Sequence, residues 1–322
     1  MLFPEPLIIR PPTEAGSVLL RVTRGCNWNR CRFCGIYTHL GQPDFEVRPL
    51  AEVLQDVRIA REAYGPDATT CFLGDADPLV VEPDDFIRIC RAIREAFPRM
   101  ERITCYARSA TLWLRRERLR EVAAAGLSRV HVGLETGSDE LLRYHRKGVS
   151  QRRAIEAGQA ALAAGLELSY YVLLGLGGAD RAELHVAETL KVLNAVRPPL
   201  DSARDGPPAP WGGPELVEGP QFVRFRRLWI FGSQEGPSCP LYSEVQSGAF
   251  APQTPEGTVR EMREIIAGID FPTEVEAIHH NVYVPVAGRL PEDRERMLGR
   301  IDSFLALPEE AKEREYAKPS AI

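Results

Sequence analysis

The sequence contains no long apolar run, no excess of basic residues and few cysteines. Its apolar stretches fall well short of the roughly 18 residues that a membrane-spanning helix needs, so we expect no membrane segment. The first residues, MLFPEPLIIRPPTEAG, have no basic start followed by an apolar run, which argues against a secretory signal. A formal net charge of −5 argues against non-specific nucleic-acid binding as the main task.

The 7 cysteines of this 322-residue chain do not fit an exported disulfide scaffold, which would be shorter and richer in cysteine. We therefore expect a reducing, cytoplasmic environment in which thiols stay free or hold metal. An apolar content of 44% supplies material for a packed core and excludes disorder of the whole chain.

Segments with strand character alternate with segments of helical spacing along most of the chain. The predicted strands cover residues 17–23, 69–73, 103–106, 129–134, 167–174 and 222–230. Helices are predicted at 49–64, 84–97, 112–125, 138–145, 152–164, 182–196, 254–268 and 291–305. Because a helix separates each strand from the next, the pattern predicts an α/β fold. We expect a parallel sheet that closes part of the way, as a partial (βα)6 TIM-like barrel with a C-terminal extension.

Proline and glycine content suggests how the chain is divided. Residues 1–16 are rich in proline and are expected to form an N-terminal arm over the surface. The partial barrel is assigned to 17–230, and within it residues 197–220 form a Pro/Gly-rich loop or lid. Residues 231–322 form the C-terminal extension, whose charged last segment, 308–322, is expected to be solvated.

Three cysteines follow the first predicted strand, in the segment RGCNWNRCRFCGIY. Cys26, Cys31 and Cys34 have the spacing C-x4-C-x2-C, so three thiols within nine residues can converge on one centre. Thiolates are preferred ligands of iron–sulfur clusters and also bind zinc. A structural zinc site would need a fourth ligand, for which His39 is the nearest candidate, and no second C-x2-C exists. Three ligands on a four-iron cluster would leave one iron open.

The remaining cysteines stand singly and are expected to be small buried apolar residues. They are Cys71, Cys90, Cys105 and Cys239.

Other candidate residues follow the next strands, where parallel sheets bind their ligands. Gly74, Asp75 and Asp77 form a tight turn that offers carbonyl and carboxylate groups to an ammonium group, although a plain Asp/Gly turn has the same composition. Arg108 could meet a carboxylate with two hydrogen bonds, or could equally be a surface residue.

Two further candidates follow the fourth and fifth strands. Glu135 lies in GLETGS, where the alternative is a salt bridge at the start of the next helix. Gly175 lies in a glycine-rich turn that permits close approach of the backbone to a ligand.

Together these motifs resemble the radical S-adenosylmethionine (radical SAM) superfamily over about residues 17–180. The usual motif of that family is C-x3-C-x2-C, with an aromatic residue before the last cysteine. Phe33 is that aromatic here, while the first spacing is one residue longer than usual. Residues 133–138 are similar to the corresponding segment of Elongator-type and methylthiotransferase-type members.

The resemblance implies a [4Fe–4S] cluster bound by the three cysteines, with the amino and carboxylate groups of SAM on the fourth iron. Gly74, Asp75 and Asp77 would bind the SAM amino group, and Glu135 would point toward the ligand. Gly175 would pack near the adenine.

The resemblance also implies an enzyme, an oxidoreductase or a transferase, that cleaves SAM to a 5′-deoxyadenosyl radical. The radical would abstract hydrogen from a small-molecule substrate, and a flavodoxin or ferredoxin would supply the electron. Two alternatives stay open: a radical SAM enzyme that modifies RNA, and a non-enzymatic metal-binding protein.

Several other residues are interpreted from their position in the chain alone. Arg224, Arg226 and Tyr242 are candidates for lining a substrate pocket. His279 and His280 are predicted to be turn and packing residues, and Lys147 to be structural or solvated.

Overall fold

A computed structural model describes residues 8–42, 44–196, 221–230, 232 and 238–317. Within them the strands are β1 (Val18–Arg21), β2 (Thr23–Arg24), β3 (Glu46–Val47), β4 (Thr70–Gly74), β5 (Arg102–Ala107), β6 (Leu127–Glu135), β7 (Glu167–Leu174), β8 (Phe222–Arg227), β9 (Thr273–Ala277) and β10 (Val286–Leu290). The α-helices are α1 (Ile36–His39), α2 (Leu50–Tyr64), α3 (Pro83–Ala96), α4 (Ser109–Arg115), α5 (Leu119–Ala125), α6 (Asp139–Tyr144), α7 (Gln151–Ala163), α8 (Ala182–Ala195), α9 (Pro240–Gln246), α10 (Pro255–Gly268), α11 (Arg294–Leu305) and α12 (Glu309–Tyr316).

Eight of these strands form one sheet in the order β1-β4-β5-β6-β7-β8-β9-β10. Neighbours from β1 to β9 run parallel, and β10 pairs antiparallel with β9. The predicted strands correspond to β1 and β4 to β8, which confirms the α/β partial barrel. Strands β9 and β10 were not predicted, because a strand such as TEVEA alternates buried and partly exposed positions and carries two charges.

The strands have two buried faces, as expected for a parallel sheet covered by helices. Val130 and Val132 of β6 belong to the large apolar core. The alternate position, His131, lies inside the barrel against Phe72, Tyr106 and Tyr171. The barrel interior is therefore more polar than the outer layer.

Residues 8–16 are the described part of the N-terminal arm, and Pro11 and Glu14 are the buried residues among them. Glu14, in a short 3-10 turn, is fully buried. Its carboxylate accepts a hydrogen bond from Ser17 Oγ at 2.7 Å and lies 3.2 Å from His131 Nε2. Arg102, at the first position of β5, is 3.6 Å away. These contacts close the end of the barrel where the strands begin, a tertiary arrangement that composition alone does not reveal.

One helix prediction was wrong. The helix predicted at 112–125 is divided into α4 and α5 by a 3-10 turn at Arg116–Arg118. Beside that turn Arg115 and Arg118 bind Glu82 and Asp84 at the start of α3. The described part of the charged tail, residues 308–317, is mostly exposed and contains α12, in which Lys312 is buried and pairs with Glu256 at 2.5 Å.

The loop at 197–220 lies outside the described residues. Among the described helices, none combines the length and apolar character needed to cross a membrane.

Candidate functional site

The three cysteines lie in one loop between β2 and α1, at the end of the barrel where the strands finish. All three are partly exposed. Gly25 begins the loop with φ +73°, and a Cβ there would collide with the carbonyl oxygen of Asp44, so the turn requires glycine. The Asn29 amide donates to Cys26 Sγ at 3.4 Å. The loop therefore presents its thiols from a constrained backbone.

The cysteine loop is attached to the segment that follows α6. Arg32 N donates to the carbonyl oxygen of His145 at 3.0 Å, and Trp28 Nε1 donates to that of Arg146 at 2.6 Å. The ring of Phe33 packs edge-on against His145 at 5.6 Å. This attachment brings Lys147, more than a hundred residues away in the chain, to the thiols.

Burial raises the pKa of the Cys31 thiol and raises that of Cys34 to about 12. Cys26 raises both further, and the Lys147 ammonium acts in the opposite direction. The three sulfurs are thus close enough to influence one another's charge. A metal centre that binds them would displace the thiol protons.

Glu135, at the end of β6, lies opposite this loop. Lys147 Nζ is 3.0 Å from Glu135 Oε1, and the same ammonium lies 5.6 Å from the centre of the Phe33 ring. Glu135 has φ +65°, a left-handed backbone conformation that is strained for a residue with a side chain. Strain of this kind concentrates where a side chain must be held in one direction for function.

Lys147 is a member of the site that the sequence analysis placed outside it. Burial lowers the pKa of Lys147, but the Glu135 carboxylate and the Cys31 sulfur together raise it above its usual value, so the ammonium stays charged. The sequence signal that could have indicated Lys147 is the segment Arg146–Lys147–Gly148, which comes shortly after a predicted helix, at a loop position where ligand-binding residues are common. Sequence spacing alone does not show that the two side chains meet.

Asp75 and Gly74 connect the end of β4 to the start of the cysteine loop. Asp75 Oδ2 accepts from Gly25 N at 3.3 Å and lies 3.5 Å from Arg21 Nε, while Asp75 N donates to Thr23 Oγ1 at 3.2 Å. The carbonyl oxygen of Gly74 accepts from Val22 N at 2.6 Å. In this structure both residues support the loop.

Asp77 is fully buried beneath the site. It accepts from Asn27 Nδ2 at 3.0 Å and from Thr111 Oγ1 at 2.5 Å, and Arg108 N lies 3.4 Å away. Burial raises the pKa of Asp77 to about 6 in spite of these partners. The Arg108 guanidinium lies over the Trp28 ring at 4.9 Å and donates to the carbonyl oxygen of Lys147 at 3.1 Å. These contacts connect the ends of β4 and β5 to the cysteine loop.

Gly175 lies at the end of β7 and is connected to a different element. Its φ is +84°, and its amide donates to Glu261 Oε2 of α10 at 2.6 Å. Burial raises the pKa of Glu261 to about 7. The C-terminal segment therefore fixes the glycine turn, which the sequence analysis did not predict.

The single cysteines are confirmed as buried residues. Cys71, Cys90, Cys105 and Cys239 have no measurable exposure. Within the described part of the chain, no three His, Cys, Asp or Glu side chains are grouped as ligands of a single metal ion.

A family model described as the radical SAM superfamily matches residues 20–190, just over half of the chain. The chain belongs to the radical SAM superfamily. The cofactors of this superfamily are a [4Fe–4S] cluster and S-adenosylmethionine. No curated protein sequence matches the chain.

Solved structures of radical SAM enzymes share the fold. The apo form of the cobalamin-dependent enzyme OxsB is 17% identical with a TM-score of 0.51, over 93% of this chain and 46% of that chain. The methyltransferase TsrM from Kitasatospora setae, with tryptophan and a SAM analogue bound, is 18% identical with a TM-score of 0.50, over 73% of this chain and 39% of that chain. The present chain thus spans less than half the length of either. At these identities the likeness concerns the fold alone.

The donor set in the cysteine loop fits the cluster of this family. Three thiols come from one loop, and thiolate is the ligand that iron–sulfur clusters require. The neighbouring Lys147 ammonium favours the thiolate form. Asn29, between Cys26 and Cys31, has a left-handed backbone with φ +42°.

Proposed function

We propose that this protein is a radical SAM enzyme that acts on a small molecule, with Cys26, Cys31 and Cys34 as ligands of three irons of its cluster. The observation that carries the proposal is the meeting of the cysteine loop with the Glu135–Lys147 pair at the end of the barrel. When reduced by an external electron donor, the bound cluster supplies the electron that cleaves SAM to methionine and a 5′-deoxyadenosyl radical.

The chain's own residues bind and orient. Glu135 offers a carboxylate to the cationic part of SAM, and Lys147 holds that carboxylate 3.0 Å from its ammonium. The Gly175 turn, fixed by Glu261, offers backbone to the adenine. Arg108 extends the positive charge of the site toward the SAM carboxylate. These assignments combine the strand-end positions with the charges that SAM carries.

The barrel restricts access of water to the reacting centre. Its opposite end is closed by Glu14 and His131, so substrate and SAM would enter from the side of the cysteine loop. Exclusion of water protects a reactive radical from side reactions.

Anaerobic reconstitution with iron and sulfide tests the assignment. We expect about four irons per chain and formation of 5′-deoxyadenosine from SAM when dithionite is added. Cys31→Ala should lose most of the iron and all of the product. Cys90→Ala is the matched control, because Cys90 is buried in α3 and should leave iron binding unchanged.

Retention of a full cluster by Cys31→Ala would contradict the ligand assignment. One zinc per chain without SAM cleavage would favour the non-enzymatic metal-binding protein.

A further inference from the structure

A half-open cavity of about 30 Å³ lies beside β7, β8 and β9, and exposed residues such as Ile278 form part of its wall. Its wall includes Tyr171, Arg226 and His279, together with Thr13 of the N-terminal arm. A volume near 10–15 Å³ accommodates one water molecule, so this cavity has room for about two water-sized groups. It is large enough for the charged end of a metabolite and too small for a whole one.

Two arginines line this cavity, and they differ in their partners. Arg224 is neutralised by Glu276, with Nε–Oε2 at 2.7 Å and Nη2–Oε1 at 3.1 Å, and it also donates to Ser169 Oγ. Arg226 has no carboxylate within ion-pair distance among the described residues. Its guanidinium lies 4.4 Å from the centre of the Tyr171 ring and near the Tyr106 hydroxyl. Arg226 is thus a cation without a close carboxylate among the described residues, and the Glu135 carboxylate acts on it only from beyond ion-pair distance.

The Tyr171 hydroxyl, in the same wall, also lacks a complete set of hydrogen bonds. Tyr171 is only 8% exposed; the Arg226 guanidinium lies within reach of its hydroxyl oxygen, and the hydroxyl proton has no acceptor among the described residues. Buried polar groups are nearly always hydrogen-bonded, so an exception calls for a bound partner. Burial lowers the pKa of His279 to about 4, so this neighbouring side chain is neutral at pH 7 and adds no positive charge to the cavity.

We propose that Arg226 and Tyr171 bind a carboxylate group of the substrate; this inference rests on the proposed function. The planar guanidinium can donate two parallel hydrogen bonds to the two oxygens of a carboxylate, and Tyr171 Oη can donate a third. Arg226 and Glu135 influence each other electrostatically across the barrel. A substrate anchored by its carboxylate in the cavity would therefore extend its reacting end toward the cysteine loop.

The binding test uses the reconstituted protein with SAM and three small probes of similar size: acetate, acetamide and methylphosphonate. The thermal midpoint is measured against probe concentration at constant ionic strength, because a ligand that binds the folded state raises that midpoint. We expect acetate to raise it, acetamide to leave it unchanged and methylphosphonate to act more weakly than acetate.

Variants locate the acetate site. Arg226→Gln should weaken the apparent acetate affinity at least tenfold. Arg226→Lys should weaken it less, because lysine keeps the positive charge although it lacks the planar guanidinium that donates two parallel hydrogen bonds. Tyr171→Phe keeps the ring under the guanidinium and should weaken the affinity about fivefold. Arg120→Gln is the matched control, since Arg120 is an exposed arginine on α5.

An unchanged acetate affinity in Arg226→Gln and Tyr171→Phe would overturn the proposal, as would tighter binding of methylphosphonate than of acetate. If Arg226→Gln fails to fold, the Arg226→Lys and Tyr171→Phe variants decide the question. Iron content and 5′-deoxyadenosine are measured on the same samples. Acetate binding without a cluster would refute the proposed function alone, whereas SAM cleavage without acetate binding would refute this inference alone.

Discussion

The two ends of the barrel each contain a glutamate beside a basic side chain, yet the two glutamates are held in different ways. Glu14 has no exposure and has three partners, Ser17, His131 and Arg102. Glu135 is 16% exposed at its side chain, has Lys147 as its ion-pair partner, and has a left-handed backbone. The first arrangement satisfies a carboxylate within the chain. The second holds a carboxylate in a strained position and leaves part of it accessible.

We therefore expect Glu14 to contribute mainly to the stability of the folded state and Glu135 mainly to ligand binding. Although burial by itself raises the pKa of Glu14, hydrogen bonds from His131 and Ser17 lower it to about 2. A carboxylate held in this way stabilises the folded state above the pKa of 4.5 that it has when unfolded, and that contribution is lost as the pH falls toward 2. Part of the Glu135 side chain stays accessible, which is what the proposed contact with SAM requires.

The largest effect is expected from Glu14→Ala. The variant removes an ionised acceptor of two buried hydrogen bonds, each worth about 1.5–3 kcal/mol, so the free energy of unfolding should fall by about 3 kcal/mol. Urea unfolding at pH 7 measures this change. Glu52→Ala, at an exposed glutamate 3.6 Å from Arg48, is the control and should change stability by less than about 0.5 kcal/mol.

Glu14→Ala should bind SAM normally per folded molecule, since Glu14 lies at the end of the barrel opposite the cysteine loop. A variant of full stability, or a folded variant without SAM affinity, would contradict the division between the two ends.

Glu135→Gln should have the reverse effect. We expect SAM to bind about tenfold more weakly, because one charge-assisted hydrogen bond is lost, while the free energy of unfolding changes by less than about 1 kcal/mol. Anaerobic calorimetric titration with SAM and urea unfolding measure the two quantities. Glu140→Gln, at a mostly exposed glutamate 3.6 Å from Arg181, is the matched control. A loss of stability with unchanged SAM affinity in Glu135→Gln would contradict the difference drawn between Glu14 and Glu135.

The parts of the molecule that sequence analysis predicted are those with local signals. The six strands of the barrel carry apolar runs, and the candidate residues at their ends follow from the rule that parallel sheets bind ligands there. Cys26, Cys31 and Cys34 stand within nine residues, so their meeting needed only one loop.

The missed features depend on contacts between distant segments. Lys147 pairs with Glu135 beside the cysteine loop, which is itself attached to the segment after α6. The Glu14–His131 pair joins residues 117 positions apart, and Glu261 reaches Gly175 across 86 positions. Lys147, Glu14, His131 and Glu261 have charged or polar side chains whose burial no local pattern indicates, so tertiary packing had to supply the partner.

The smallest effect is expected from acid acting on the closed end of the barrel. Burial lowers the pKa of His131 to about 4, against 6.5 for the unfolded side chain. Between these values the unfolded state binds more protons, so the free energy of unfolding falls as the pH falls from about 6.5 to 4. Each such histidine contributes at most about 1.4 kcal/mol per pH unit, and His145 and His185 act in the same direction.

His131→Gln isolates this contribution, because the glutamine amide can still donate to Glu14. Between pH 6 and pH 5 its free energy of unfolding should fall by about 1 kcal/mol less than that of the unmodified protein. Urea unfolding across this range measures the two slopes, and above pH 7 the two profiles should run parallel, which serves as the internal control. Equal slopes between pH 6 and pH 5 would show that His131 is not held neutral by burial. The closed end would then be no more sensitive to acid than the rest of the molecule.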